Sequence, residues 1–163
     1  QLILDSWLHS LSHADAAITN AGAIRQDLPA GTIRMRDVIS VMPFENELII
    51  TTVSGLQLKE ALSNRESVVA GITYRYKEVD SKRVVTEVRN NKGVLIKDED
   101  KLKVIVNSFM YRGGDGYQFA TYDPAPENTT LDWRLPFVMY LRSQQETGKG
   151  VFGRNETRSE PAD

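Results

Sequence analysis

Residues 20–25 contain the first groups that could hold an anionic ligand. The segment begins at Asn20, has the sequence Asn-Ala-Gly-Ala-Ile-Arg, and follows a short apolar stretch. Gly22 permits φ > 0 and a tight turn whose backbone N–H groups face an anion, and Arg25 could hold a phosphate through two hydrogen bonds. Taken alone, the segment fits an ordinary turn with an exposed arginine better, and phosphate binding is the alternative.

Two phenylalanines stand where an aromatic ring could contact a nucleobase. Phe44 follows Pro43 in a polar stretch, and Phe109 follows the strongest strand pattern of the chain. Core packing is the usual role of such rings. If the two rings faced each other, they could sandwich a base, with a gain of ~1–3 kcal/mol per stacked base.

A carboxylate lies inside a glycine cluster, Gly113-Gly114-Asp115-Gly116. The glycines let the backbone approach a ligand closely. Asp115 could accept two charge-assisted hydrogen bonds from a ribose diol. No Lys-Ser/Thr pair follows, which disfavours a phosphate-binding loop. A flexible hairpin tip is the plain alternative.

The composition excludes thiol chemistry and a histidine-rich metal centre. The 163 residues contain no cysteine and two histidines, His9 and His13. Disulfides, a cysteine nucleophile and a binuclear centre built mainly from imidazoles are therefore excluded. The four-residue spacing of the histidines on a predicted helix could suit one metal ion, although a solvated polar helix face fits better. Since no Gly-x-Ser-x-Gly motif is present either, we expect no catalytic residue and no metal ligand on this chain.

The charge and hydropathy of the chain limit the kinds of binding partner that it can have. A net charge of −2 and a pI near 5.8 argue against binding to a nucleic-acid polymer. No apolar run approaches the ~18–20 residues that span a bilayer. Apolar residues make up 40% and charged residues 26%, as is typical of a folded globular domain. Because the chain begins with Gln1, we expect an excised fragment or a processed product.

Hydrophobic periodicity predicts the elements that carry these segments. Leu4, Trp7, Leu8 and Leu11 have the spacing of an amphipathic helix. Residues 37–41 fit one turn of helix or a short strand. The other predicted elements are strands over 16–19, 48–53, 71–79, 83–89 and 102–106, a hairpin turn over 90–93, and helices over 56–62 and 136–145, the last with Asp132 as N-cap. Mixed helices with several consecutive strands predict the α+β class.

Three segments in this order resemble the C-terminal domain of the 5′-nucleotidases. They are residues 20–25, Met-Pro-Phe at 42–44, and Asn-Ser-Phe-Met-Tyr-Arg-Gly-Gly-Asp-Gly-Tyr at 107–117. The family includes UDP-sugar hydrolases, 2′,3′-cyclic-nucleotide phosphodiesterases and ecto-5′-nucleotidase. The resemblance covers about residues 1–145. It implies one α+β domain over 1–147, of mixed sheets and packed helices layered α/β/β/α, and we expect 148–163 to be a flexible polar tail.

The resemblance also implies ligand contacts at the first segment. Arg25 would contact the substrate phosphate. Asn20 would contact the ligand, and Gly22 would shape the turn between them.

The other two segments would hold the nucleoside. Phe44 and Phe109 would stack on the two faces of the base. Asp115 would hold the ribose hydroxyls, presented by Gly113 and Gly114.

In this family an N-terminal metallophosphoesterase domain carries two divalent metal ions, and its Asp-x-His and Gly-Asn-His-Asp/Glu motifs are absent from this sequence. The resemblance therefore implies the substrate-binding part of a periplasmic, secreted or cell-surface phosphoric ester hydrolase of nucleotide catabolism, inactive as this chain alone. A free-standing nucleotide-binding module is one alternative. A decayed interaction domain is another, because Leu8 and Arg112 depart from the family pattern.

Overall fold

A computed structural model of the chain describes residues 1–64, 67–147 and 159–161. Its helices are α1 (Leu2–Ser10), α2 (Met35–Val41), α3 (Gly55–Asn64), α4 (Ser108–Tyr111), α5 (Phe119–Tyr122) and α6 (Leu135–Glu146). Its strands are β1 (Ala16–Asn20), β2 (Glu47–Ser54), β3 (Ser67–Ala70), β4 (Ile72–Val79), β5 (Lys82–Asn90), β6 (Lys101–Asn107), β7 (Glu127–Asp132) and β8 (Ser159–Pro161).

A five-stranded sheet in the order β3-β1-β6-β2-β7 is the centre of the fold. β1 and β6 run parallel, with Ala17 opposite Ile105, whereas β2 runs antiparallel to β6, with Leu48 opposite Asn107. The last residues of β1 and β6 and the first residues of β2 therefore lie at one edge of the sheet. We call this edge, marked by Asn20, Leu48 and Asn107, the site edge.

Helices α1, α2 and α6 cover one face of this sheet. Their apolar residues recur at helical spacing, so each helix buries one stripe against the strands. Trp7 of α1 and Trp133, just before α6, are both fully buried, and their ring centroids are 6.2 Å apart. The buried residues of this layer include Ile3, Leu4, Val38, Val41, Leu48, Ile50, Ile105 and Phe137.

Helix α3 and a three-stranded sheet, in the order β5-β4-β8, cover the opposite face. The β4–β5 hairpin turns at Asp80 and Ser81, which both have positive φ, as a two-residue turn matching the strand twist requires. The predicted turn at 90–93 is also present, since the Gly93 N–H donates to the Asn90 carbonyl at 2.9 Å. Leu95 then bridges back to Arg89 in antiparallel fashion.

The structure confirms the α+β class and most predicted elements. Residues 37–41 belong to a helix, because Val38 and Val41 bury one face of α2. The N-cap of α6 is Arg134, so the prediction of Asp132 was wrong; Asp132 Oδ1 accepts from the Arg134 N–H at 2.8 Å. Strands β3 and β7 were not predicted.

The predicted polar tail falls mostly outside the described residues, since 148–158 and 162–163 are not among them. Its described part, Ser159–Pro161, pairs parallel with β4. Of the helices in the described part of the chain, none is long and apolar enough to cross a bilayer.

Candidate functional site

The site edge brings the three motif segments together. Asn20 is the last residue of β1, and Asn107 is the last residue of β6. Phe44 lies in the loop from α2 to β2, and this loop leads into the sheet at the same edge. Phe109 and Asp115 follow β6 directly, on α4 and on the turn after it. The parallel pairing of β1 and β6 is what makes residues about ninety positions apart neighbours.

A chain of side-chain hydrogen bonds crosses the site edge. The Met110 N–H donates to Asn107 Oδ1 at 2.9 Å. Asn107 Nδ2 donates to Asn20 Oδ1 at 3.2 Å, and Asn20 Nδ2 donates to Asp115 Oδ2 at 2.8 Å. Asn107 is fully buried and Asn20 is 7% exposed, whereas Asp115 is exposed. The chain therefore leads from the core to a carboxylate in contact with solvent.

Phe109 lies against the backbone of Gly114. A Cβ atom added to Gly114 would stand 2.4 Å from Cε1 of the ring, so only glycine leaves room for the ring there. Gly113, Asp115 and Gly116 all have positive φ, which bends the turn back under α4. For Asp115 this left-handed conformation is one that aspartate tolerates better than most residues. Local steric constraints thus explain why glycine occupies these positions.

Phe44 and Phe109 are half-exposed, at 46% each. The usual expectation for such rings, that they fill the core, was wrong for both. Both rings are therefore accessible from solvent at the site edge. Their stacking on a base stays a prediction.

The loop that carries Phe44 is anchored from beneath by the start of α6. The buried Trp133 Nε1 donates to the Phe44 carbonyl at 2.9 Å. Arg134 Nε donates to the Met42 carbonyl at 2.7 Å, and its Nη2 also donates to the Phe44 carbonyl. Trp7 Nε1 in turn donates to the Trp133 carbonyl at 2.8 Å. The backbone at 42–44 is therefore held in place while the ring points outward.

Arg25 lies beside Phe44. Its Nη1 donates to the Gly22 carbonyl at 2.9 Å, and its guanidinium carbon is 5.8 Å from the centre of the Phe44 ring. Gly22 itself is not among the residues with positive φ, and a Cβ added there would meet nothing within 4 Å. Gly22 was expected to use the positive φ that glycine allows, and this expectation was wrong. The turn at 21–23 is one turn of 3₁₀ helix.

Several residues that hold the site were not assigned from the sequence. Asn107 belongs to the third motif, and its position as a polar residue at the end of the strongest strand pattern was a usable sequence signal for a role. Asn64 Nδ2 donates to the Asp115 carbonyl at 3.1 Å, and Ser108 Oγ donates to Asn46 Oδ1 at 3.1 Å. Neither contact has a sequence signal, because each joins residues more than fifty positions apart.

The sequence profile described as "5′-nucleotidase, C-terminal domain" matches residues 1–122. This chain belongs to that family. It is 38% identical over 124 residues to the trifunctional nucleotide phosphoesterase YfkN of Bacillus subtilis, covering 66% of this chain and 8% of YfkN. It is 30% identical over 161 residues to the cell wall protein Lmo0130 of Listeria monocytogenes, covering 88% and 20% respectively.

A solved structure gives the same family. The 5′-nucleotidase precursor of Thermus thermophilus superimposes with a TM-score of 0.86 at 28% identity. The match covers 98% of this chain and 34% of the Thermus chain. This 5′-nucleotidase C-terminal domain therefore spans about a third or less of the length of each of these three relatives.

The described donor groups of this 5′-nucleotidase C-terminal domain are not arranged as a metal centre. Within residues 1–64, 67–147 and 159–161, no three His, Cys, Asp or Glu side chains are grouped as metal ligands would be. The sequence predicted that His9 and His13 lie on one helix. Helix α1 ends at Ser10, so only His9 lies on it. His13 Nε2 instead lies 3.0 Å from Glu127 Oε1 and ties the α1–β1 loop to β7.

Two phenols of the 5′-nucleotidase C-terminal domain have raised pKa values. Burial, and then the hydrogen bond and charge of Glu60, raise the pKa of Tyr122 to about 12. The Tyr122 hydroxyl donates to Glu60 Oε2 at 3.1 Å. Burial, and then the charge of Asp123, raise the pKa of Tyr111, whose hydroxyl donates to the Asp123 carbonyl at 2.9 Å. Both phenols therefore stay neutral and act as structural donors around α5.

Proposed function

We propose that this domain holds the nucleotide in a 5′-nucleotidase-type phosphoric ester hydrolase whose two divalent metal ions belong to an N-terminal domain of the same protein. One observation carries the proposal. At a single sheet edge the chain presents two half-exposed rings, Phe44 and Phe109, together with the exposed carboxylate of Asp115 and the guanidinium of Arg25. The names of the relatives, which are nucleotidases and a nucleotide phosphoesterase, support the same assignment.

Each group has the chemistry for one part of a nucleotide. The rings of Phe44 and Phe109 offer flat apolar surfaces for the base. Asp115 accepts hydrogen bonds from the ribose hydroxyls, and Arg25 donates to the phosphate. Asn20 acts behind Asp115, since its amide already bonds that carboxylate.

The division of labour follows from the donor groups on this chain. The metal ions, when bound to the other domain, supply an activated water and polarise the phosphoryl oxygens. The side chains of this domain bind the nucleotide and fix its orientation. Such positioning can supply a large part of the reduction of the activation barrier. We also propose a periplasmic, secreted or cell-surface location, supported by the cell wall protein and the precursor among the relatives.

An NMR titration with adenosine and with AMP tests the proposal. We expect shifts around Phe44 and Phe109, and substitution of either ring by alanine should weaken adenosine binding by ~1–3 kcal/mol. Met139→Ala removes another exposed apolar side chain, from α6, and is the matched control. If no resonance near the rings moves, the proposed base site is wrong.

Asp115→Asn separates a working site from a decayed interaction domain. The substitution keeps the shape and removes the charge, so adenosine binding should weaken by ~1.5–3 kcal/mol. Asp98→Asn, which removes an exposed carboxylate bonded to Lys59 on α3, is the control. Unchanged binding in Asp115→Asn would favour the decayed domain.

A further inference from the structure

Asn107 stands where the three motif segments meet, behind the surface that a ligand can reach. Its side chain is fully buried at the end of β6. Oδ1 accepts from the Met110 N–H at 2.9 Å, and Nδ2 donates to Thr19 Oγ1 at 3.0 Å and to Asn20 Oδ1 at 3.2 Å. Both ends of the carboxamide are thus engaged by protein atoms, and the residue itself cannot touch a ligand.

The hydrogen bonds of this cluster have one direction. The Met110 N–H can only donate, so it turns Asn107 Oδ1 toward α4 and Nδ2 toward β1. Asn107 Nδ2 can only donate, so it turns Asn20 Oδ1 inward. Asn20 is left with Nδ2 facing outward, where it meets Asp115 Oδ2 at 2.8 Å. A backbone N–H in α4 therefore determines, through two amides, that Asp115 receives a donor from behind.

We propose that Asn107 is a positioning residue that orients the Asp115 carboxylate, through Asn20, for the two hydroxyls of a ribose. The inference rests on the proposed nucleotide-binding function. Asn107 has a second task on a different atom, because Oδ1 caps α4, the helix that carries Phe109. Ribose recognition depends on Nδ2, and base stacking depends on Oδ1, so substitutions can separate the two.

Two substitutions keep the cap and remove the donor. In Asn107→Ser the hydroxyl still accepts from the Met110 N–H, as a serine N-cap does, but it is too short to bond Asn20. In Asn107→Asp the carboxylate keeps the cap and cannot donate. The Asn20 amide must then turn over, which places its oxygen against the carboxylate of Asp115. Asn90→Ser is the matched control, since Asn90 Oδ1 also accepts backbone N–H groups, from Lys92 and Val94, both at 3.0 Å.

The measurement is the ratio of the dissociation constants of 2′,3′-dideoxyadenosine and adenosine, by calorimetry on the 163-residue chain. The unsubstituted chain should prefer adenosine by at least about tenfold, as expected for hydrogen bonds to a charged acceptor. In Asn107→Ser and Asn107→Asp the ratio should fall to within about threefold of one, while the affinity for adenine alone stays within about threefold of the unsubstituted chain. Asn90→Ser should change neither quantity.

The outcomes that overturn the inference are distinct. If Asn107→Ser keeps the full preference for adenosine, Asn107 does not orient Asp115. If adenine affinity falls in parallel with the ratio, the residue is merely structural. Should neither variant fold, Asn20→Ser breaks the same chain one step later without touching the α4 cap, and a retained ratio there overturns the inference. An unsubstituted chain that binds no adenosine overturns the proposed function and the inference together.

Discussion

The contact between Gly114 and Phe109 is the tightest steric constraint at the candidate site. Gly114→Ala would place a Cβ about where the ring now lies, 2.4 Å from Cε1 and 2.5 Å from Cζ. The ring is at the surface and can rotate away, so we expect the fold to survive while stacking is lost. Adenine affinity should fall by ~1–3 kcal/mol, and calorimetry with adenine measures this directly.

Gly113→Ala is the comparison for that prediction. Gly113 has φ 95°, so alanine there costs ~1 kcal/mol of folding free energy through backbone strain. Its added Cβ would approach only the Tyr117 carbonyl, at 3.6 Å, and not the ring. Gly113→Ala should therefore lower the midpoint temperature of thermal unfolding more than Gly114→Ala does. Gly114→Ala should lower the affinity for adenine more than Gly113→Ala does. The opposite order would show that Gly114 does not make room for the ring.

At the scale of elements, the start of α6 supports the loop that carries Phe44. Arg134→Gln removes the donors to the Met42 and Phe44 carbonyls without touching any proposed ligand contact. We expect ~1–3 kcal/mol of lost stability, because the Met42 carbonyl loses its side-chain donor and the Phe44 carbonyl keeps only that of Trp133. Adenosine binding should weaken because the loop that carries the ring is held less firmly. Urea unfolding and calorimetry measure the two effects.

Arg142→Gln tests whether that effect is specific to the anchor. Arg142 lies on the same helix and is exposed. Its substitution removes the same charge, so a general electrostatic effect on binding would appear in both variants. Equal losses of adenosine affinity in Arg134→Gln and Arg142→Gln would contradict the anchoring role.

The contact between α5 and α3 predicts a pH dependence of stability. In the folded chain the pKa of Tyr122 is raised to about 12, from an ordinary value near 10. The folded state therefore holds the phenol proton more tightly than the unfolded chain, and the contribution to stability is complete below pH ~10 and is lost as pH rises toward 12. Tyr122→Phe should flatten this part of the curve in urea unfolding between pH 9 and 12.

The Glu60→Gln variant checks the cause of that shift. Burial is the largest single cause of the raised pKa, and Glu60 raises it further through its hydrogen bond and its charge, so the glutamine variant should keep part of the slope and lose part of it. If Tyr122→Phe leaves the slope of the unsubstituted chain unchanged, the loss of stability comes from other groups.

Elements with a strong pattern were predictable, and short or polar ones were not. The helix over Leu2–Ser10 and the strand over Lys101–Asn107 have clear apolar periodicity. β7, with the sequence Glu-Asn-Thr-Thr-Leu-Asp, is an edge strand with a register shift between Glu47 and Ile49 of its partner. Its pairing with β2 comes from tertiary context, which periodicity does not contain.

The whole molecule places its proposed ligand groups at one sheet edge because of its strand order. The sequence motifs suggested this grouping only through a family resemblance. The strand pairing supplies the physical reason, since β1 and β6 are parallel neighbours and β2 runs antiparallel on the other side of β6. Loop contacts such as Asn64 with Asp115 depend on this topology and could not be predicted from residue types.

We expect the whole chain to bind nucleotides without hydrolysing them. The 163-residue chain, mixed with AMP and with Mn²⁺ or Zn²⁺, should release no inorganic phosphate above the rate without protein. The reason is that its described side chains offer no grouped metal ligands. A phosphate-release assay on the same preparation that binds adenosine provides the test. Release that needs the metal and is lost in Arg25→Ala would contradict the proposed division between two domains.

The neighbouring rings of Trp7 and Trp133 give this chain an intrinsic fluorescent probe. The chain has two tryptophans, both fully buried with ring centroids 6.2 Å apart. All indole emission therefore arises from one place under the sheet. The Trp133 Nε1 proton is bonded to the Phe44 carbonyl, so a movement of that loop alters the surroundings of an emitter directly. Occupancy of the ring pair can thus be followed as a change in intrinsic fluorescence, without a label and without a chemical step.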